Sequence, residues 1–142
     1  MKTLSLFILA LFVFVQCKKE NRDPAPEITS IVGKWRIVEY RQTSGDSIVT
    51  RPVLRANSYI YEFRYDGVLL NGNGYVPCCL PSEYSLNGTA FVPKPTTPVE
   101  LDPICATSLC GICPDIKLTQ TAPDSLVMEA CGGALSVFVR EK

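Results

Sequence analysis

The chain has 142 residues with 14 basic and 14 acidic side chains, and it contains no histidine. A balanced charge without a basic run argues against nucleic acid as a partner. The lack of histidine excludes Ser-His-Asp and Cys-His catalysis and every metal site that uses histidine. The many prolines and glycines favour short strands and turns over helices.

The N-terminus has the three parts of a secretory signal. Met1-Lys2-Thr3 is a short basic start, Leu4 to Val15 is apolar, and charged residues follow Cys17. The apolar stretch is shorter than the roughly 20 residues that a membrane-spanning helix needs. Phe14-Val15-Gln16-Cys17 resembles the cleavage motif of bacterial lipoproteins, which implies a signal peptide over 1–16 and an acylated Cys17. The alternative is an ordinary cleaved signal with an incidental cysteine.

Residues 17–30 are expected to form a lipidated N-terminus and a flexible tether, because this stretch is polar and contains Pro24 and Pro26. The folded domain is predicted over 31–142. Its length suits one domain.

Short runs of β-branched and aromatic residues, separated by turn residues, predict about eight strands and no helix. In chain order the predicted strands and hairpins cover 33–40, 47–53, 58–65, 68–70, 83–92, 115–121, 125–130 and 134–140. Turns are predicted at Asp66-Gly67, at Asn87-Gly88 and at Ala122-Pro123-Asp124. This pattern indicates an all-β fold, a small antiparallel up-and-down barrel.

One predicted strand carries an aromatic stripe. Tyr59, Tyr61, Phe63 and Tyr65 alternate along it and are expected to share a face. They are candidates for lining a cavity that holds a ligand. The alternative is a filled core, since an eight-stranded barrel is often just wide enough for its own side chains.

Seven cysteines occur, and an even number remains besides Cys17, which in an exported chain predicts disulfides. These are Cys78, Cys79, Cys105, Cys110, Cys113 and Cys131. The hairpin over 115–130 is expected to bring Cys113 nearly opposite Cys131. Cys78 and Cys79 point to opposite sides if extended, so we expect them to pair with Cys105 and Cys110. The bridges would anchor the long proline-rich stretch from Pro93 to Cys113.

Two other uses of the cysteines stay open. Cys110-Gly111-Ile112-Cys113 is a C-x-x-C, but the βαβ context of a redox motif is missing. Cys78, Cys79, Cys110 and Cys113 could supply a Cys₄ zinc site, although an oxidising compartment argues against it. No cofactor or metal is predicted.

Several motifs together resemble the lipocalin-like domains of Bacteroidota lipoproteins. They are Gly33-Lys34-Trp35, the Asp66-Gly67 hairpin that follows Tyr61, Glu83 to Gly88, Ile116 to Thr119 and Ser125 to Met128. The resemblance covers 31–142 and implies a lipocalin-like barrel, in which Trp35 would pack across the closed end.

These features predict a non-enzymatic lipoprotein of the bacterial cell envelope, anchored by lipid at the outer membrane. We expect its disulfide-braced barrel to bind a small apolar ligand. The alternative is a structural or interaction lipoprotein with a filled barrel, which binds an envelope protein or glycan through its cysteine-rich loop. An empty apolar cavity would favour the first and a packed interior the second.

Overall fold

The computed structural model describes residues 22–111, 115–130 and 133–142. In chain order the strands are β1 (Gly33–Ser44), β2 (Ser47–Pro52), β3 (Ile60–Phe63), β4 (Leu69–Asn71), β5 (Tyr84–Leu86), β6 (Thr89–Phe91), β7 (Ile116–Ala122), β8 (Ser125–Glu129) and β9 (Leu135–Arg140). Short 3₁₀ turns lie at Arg55–Asn57 and Pro103–Thr107, and the described ranges contain no α-helix. The predicted all-β class is therefore confirmed.

All nine strands belong to one sheet, which curls into a half-barrel. The strand order is β4-β3-β1-β9-β8-β7-β5-β6. β1 is long enough to have two neighbours on one edge, β3 along its first part and β2 along its last part. The pairings of β7 with β8 and of β8 with β9 follow the predicted hairpins, and β9 also pairs antiparallel with β1.

The sheet is mixed, and this corrects the prediction of an antiparallel up-and-down barrel. β5 pairs with β7 in parallel, from Tyr84 opposite Ile116 to Leu86 opposite Leu118. Parallel strands cannot be joined by a tight turn and need a long crossover connection. The irregular stretch between β6 and β7 supplies that length. The predicted order of antiparallel neighbours therefore fails at β5.

The hairpin turns fall where the sequence predicts them. Asn87 and Gly88 connect β5 to β6 with φ angles of 50° and 86°. Asn and Gly tolerate this left-handed region, which two-residue hairpin turns require. Pro123 and Asp124 connect β7 to β8 in the same compact way.

Buried apolar side chains from one face of the curled sheet form a single core. It comprises Ile28, Ile31, Trp35, Ile37, Phe63, Leu69, Tyr84, Leu86, Ile116, Leu118, Leu126 and Phe138. Ile28 and Ile31 precede β1, and the amide of Ile31 donates to the carbonyl of Ile28 at 2.9 Å. The packed chain therefore begins a few residues before the predicted domain start at Ile31.

Trp35, the third residue of β1, is buried in the core. Its side chain has no exposed surface, and its indole N–H donates to the carbonyl of Ile31 at 2.7 Å. The guanidinium of Arg140 lies 4.3 Å from the centre of the indole ring and donates to the carbonyl of Val32 at 2.8 Å. Gly33 has a φ of +123°, and a Cβ there would lie 3.1 Å from the Arg140 guanidinium. The positive φ favours glycine at this position, whereas the close contact is with the flexible end of the arginine side chain.

Candidate functional site

The interior of the half-barrel is filled by its own side chains. Trp35, Leu69, Leu118 and Leu126 are each 2% exposed or less, and Tyr84 and Phe138 are buried beside them. The ring of Phe138 meets that of Tyr61 edge to face, with centroids 6.0 Å apart. Packing of this kind leaves no central space for a ligand among the described residues.

An apolar cleft of about 390 Å³ lies at the side of the core, between the sheet and two loops. Its wall on the sheet side is Val68, Leu69 and Tyr84. The loops before β5 and after β6 supply the other wall: Val76, Pro77, Cys79, Leu80, Pro81, Ser82, Val92, Pro93, Pro95, Val99 and Leu101. No charged side chain is in this set. We call this site the apolar cleft.

Backbone hydrogen bonds hold the two loops of the apolar cleft together. The amide of Val76 donates to the carbonyl of Glu100 at 2.8 Å, and the amide of Asp102 donates to the carbonyl of Val76 at 2.9 Å. These bonds form a short parallel bridge between Val76 and Leu101. The prolines of both loops restrict the backbone further. The cleft is therefore bounded by constrained segments although most of them lie outside the sheet.

Two disulfides tie the same loops to each other. Cys78 bonds to Cys105 with a Cα separation of 5.3 Å, and Cys79 bonds to Cys110 with a Cα separation of 5.1 Å. These are the partners expected for the two adjacent cysteines. The predicted pairing of Cys113 with Cys131 lies outside the described residues.

The disulfides also argue against the alternative of a Cys₄ zinc site. Cys78, Cys79 and Cys110 belong to disulfides, so these three have no free thiolate to offer a Cys₄ site. Within the described residues no group of three or more cysteine, aspartate or glutamate side chains is arranged to hold a metal ion.

Tyr84 supplies the aromatic side of the cleft. It is 2% exposed and stacks on Phe91 with ring centroids 5.4 Å apart. A tyrosine hydroxyl is already protonated at neutral pH, and burial raises the pKa of Tyr84 further, to about 12. The whole cleft is thus uncharged at neutral pH, which favours an uncharged apolar ligand.

A second, more polar pocket of about 530 Å³ lies where the N-terminal segment crosses the turn between β3 and β4. Asp23, Glu27 and Lys94 are among its lining residues, with Asp66 at its base. It shares Val92 with the apolar cleft. Unlike the apolar cleft, it has charged side chains in its lining.

Asp66 joins the turn between β3 and β4 to the loop after β6. Its side chain is 2% exposed and accepts hydrogen bonds from the side chain of Arg64 and from the amide of Thr96, each at 3.0 Å. Burial acts to raise the pKa of Asp66, but these bonds and one from the amide of Val68 outweigh burial and lower it. The charged carboxylate therefore holds the loop after β6 to the turn between β3 and β4 at neutral pH.

The predicted aromatic stripe does not line one cavity. Tyr59 is 67% exposed and precedes β3, whereas Phe63 is 3% exposed and belongs to the core. Tyr61 is half-buried beside Phe138, and Tyr65 borders the polar pocket. β3 ends at Phe63, so Tyr65 has left the strand and its alternation.

The residues that do form the apolar cleft were not identified from the sequence. Tyr84 and the prolines were noted only as parts of a hairpin and a long loop. One sequence feature could have indicated the cleft. Valines, leucines and prolines cluster on both sides of the cysteines, whereas loops on a protein surface are usually more polar.

The cysteine-rich loop also exposes large apolar side chains to solvent. Leu101 and Ile104 are each 64% exposed, and Leu109 is fully exposed. Single exposed apolar residues are common on protein surfaces, and these three lie in the stretch that carries Cys105 and Cys110.

Comparison with protein-family models, with curated proteins and with solved structures found no match for this chain. Among residues 22–111, 115–130 and 133–142 there is no helix with the length and apolar character to cross a bilayer.

Proposed function

We propose that this chain is a lipid-anchored protein of the bacterial envelope whose domain binds a small apolar molecule in the apolar cleft. The anchor rests on the signal pattern of residues 1–16 and on Cys17 directly after it. The fold is proposed to be a variant of the lipocalin-like barrel. Support for this comes from Trp35, which follows Gly33 at the start of β1 and is fully buried beneath Arg140.

The observation that carries the binding proposal is the apolar cleft itself. Small-molecule sites are mostly apolar clefts of about 300–1,000 Å³ with few polar groups. The cleft has about 390 Å³, a buried aromatic side chain and walls braced by two disulfides. Braced walls lower the cost of ordering on binding, which raises affinity for a fitting ligand.

This proposal moves the ligand from the centre of the barrel to its side. The centre is occupied by Trp35, Leu118, Leu126 and Phe138, so a ligand there would have to displace packed side chains. The cleft lies against the same core through Leu69 and Tyr84, and a ligand in it would extend the core outward. No catalytic step is proposed, because the chain has no histidine and the cleft lining has no nucleophile with a neighbouring base.

A second candidate function is contact with an envelope protein or glycan through the cysteine-rich loop. The filled interior of the half-barrel favours it, and so do the exposed side chains of Leu101, Ile104 and Leu109. Leu101 also lines the apolar cleft, so a partner could cover the cleft and its ligand together.

The substitution Val99→Asp tests the cleft. Val99 is half-buried in the cleft wall, and a carboxylate there would face an uncharged apolar surface. We expect the full-length protein to bind the fluorescent apolar probe N-phenyl-1-naphthylamine. The dissociation constant of the variant for this probe should be higher by about tenfold or more. Probe titration followed by fluorescence measures the dissociation constant.

Val49→Asp is the matched control, because Val49 lies on the exposed strand β2 and is 42% exposed. It should leave probe affinity unchanged. Equal affinity in wild type and Val99→Asp would contradict the assignment of the site, and no binding by the folded wild type would contradict the proposed function.

A further inference from the structure

The two disulfides of the cysteine-rich loop differ in their exposure. Cys78 and Cys105 are partly buried, whereas Cys79 and Cys110 are both exposed. A disulfide is reduced by a thiolate that must reach one of its two sulfur atoms. The bond between Cys79 and Cys110 is therefore the one that a reductant reaches first.

The loop around Cys105 is held by contacts other than its disulfide. The 3₁₀ turn Pro103–Thr107 begins after Asp102, whose side chain accepts a hydrogen bond from the amide of Ile104 at 3.1 Å. The same carboxylate accepts a hydrogen bond from the side-chain amide of Asn71 at 2.6 Å. Cys105 would thus stay near its place if its bond to Cys78 were opened.

Within the described residues, the hydrogen bonds of this loop end at Ser108, whose amide donates to the carbonyl of Cys105 at 3.3 Å. No hydrogen bond between described residues involves Leu109, Cys110 or Gly111. Leu109 is fully exposed, and a Cβ at Gly111 would meet no atom within 4 Å. Among the described residues, the disulfide to Cys79 is the tie that holds this segment to the fold.

Cys79 is held in a backbone conformation that its residue type disfavours. Its φ is +63°, in the left-handed region, where residues other than glycine, asparagine and aspartate are uncommon. Cys79 and the next three residues also form one wall of the apolar cleft. Opening the disulfide would free Cys79 to leave this conformation, and the wall would move with it.

We propose that the bond between Cys79 and Cys110 is a redox-labile bond that controls the apolar cleft, while the bond between Cys78 and Cys105 is structural. With the bond formed, the wall is fixed and the cleft binds its apolar ligand. With the bond reduced, the wall loosens and the affinity falls because the site is no longer pre-organised. The control of binding rests on the proposed function of the cleft, whereas the difference between the two bonds does not.

The reductant is a protein dithiol. One of its thiolates attacks a sulfur of the Cys79–Cys110 bond, forms a mixed disulfide and releases the other cysteine as a thiolate that takes up a proton. The second thiol of the reductant then attacks the mixed disulfide. Two electrons pass to the protein, Cys79 and Cys110 become thiols, and the reductant is left as a disulfide.

Stepwise reduction of the full-length protein with dithiothreitol tests the difference between the bonds. Free thiols are blocked with iodoacetamide at each concentration and assigned by peptide mass spectrometry. We expect Cys79 and Cys110 to be labelled at a dithiothreitol concentration about tenfold lower than Cys78 and Cys105. Simultaneous labelling of both pairs, or earlier labelling of Cys78 and Cys105, would overturn the proposal.

Probe binding at the selective concentration tests the control of the cleft. The affinity for N-phenyl-1-naphthylamine should fall about fivefold on reduction. The double variant Cys79→Ser with Cys110→Ser should bind as weakly without reductant and should not respond to it. If that variant fails to fold, the wild-type titration alone decides. Strong binding that reduction leaves unchanged would overturn the control while leaving the proposed function intact, and no binding by the oxidised protein would overturn both.

Discussion

Replacing Cys17 by serine is expected to remove the protein from the membrane fraction or to leave it unprocessed with its signal attached. The thiol of Cys17 is the proposed acylation site, and serine cannot replace it. Each acyl chain contributes about 0.8 kcal/mol per buried methylene, so loss of the lipid removes the membrane attachment. Fractionation of cells followed by immunoblotting, with intact mass measured on the purified protein, checks both outcomes.

Lys18→Ser is the control for this experiment, because it changes the neighbouring residue and leaves the thiol in place. It should be processed and recovered with membranes like the wild type. A Cys17→Ser protein that is still cleaved and still pellets with membranes would contradict the lipid anchor, and the signal would then be an ordinary cleaved one.

Trp35→Ala is expected to lower the free energy of unfolding by about 3–5 kcal/mol, the usual cost of truncating a buried aromatic residue to alanine. Trp35 is fully buried, and its loss would leave a cavity beneath Arg140. A small domain has only about 5–15 kcal/mol of stability in total, so this variant should be near the limit of folding. Urea unfolding of the full-length protein, followed by circular dichroism, measures the change.

Two further variants separate the contributions at this site. Trp35→Phe retains most of the apolar surface but leaves the buried carbonyl of Ile31 without its donor, and should cost about 1–3 kcal/mol. Leu54→Ala is the surface control, since Leu54 is 73% exposed, and should change stability by less than about 0.5 kcal/mol. A Trp35→Ala protein as stable as this control would contradict the claim that burial of Trp35 stabilises the fold.

The strands could be predicted because their signals are local. Alternation in Ile116 to Gln120 and in Leu135 to Arg140, with Asn-Gly and Pro-Asp turns, fixes antiparallel neighbours that are adjacent in sequence. The pairing of β5 with β7 could not be predicted, because it joins segments separated by the long loop and depends on how that loop packs. Because only pairings between strands adjacent in sequence have a local signal, an antiparallel up-and-down barrel was expected.

The candidate site was harder to predict than the fold. The apolar cleft combines Val68, Tyr84 and Val99 with loop residues that no common period connects. The aromatic stripe offered a clear period-two pattern, but such a pattern shows only which residues share a face. It does not show whether that face is open to a ligand, packed as at Phe63, or exposed as at Tyr59. The cysteines were more informative, since the six besides Cys17 were expected to form bonds that hold the loops.

Native mass spectrometry of the full-length protein, purified from its own host in mild detergent, tests the central claim most directly. We predict one bound apolar molecule per chain in the wild type and in Val49→Asp, and a much lower occupancy in Val99→Asp. Equal occupancy of Val99→Asp would place the ligand elsewhere on the protein. A wild-type protein that carries no molecule and takes up none of a host lipid extract would contradict a ligand-binding role for the apolar cleft.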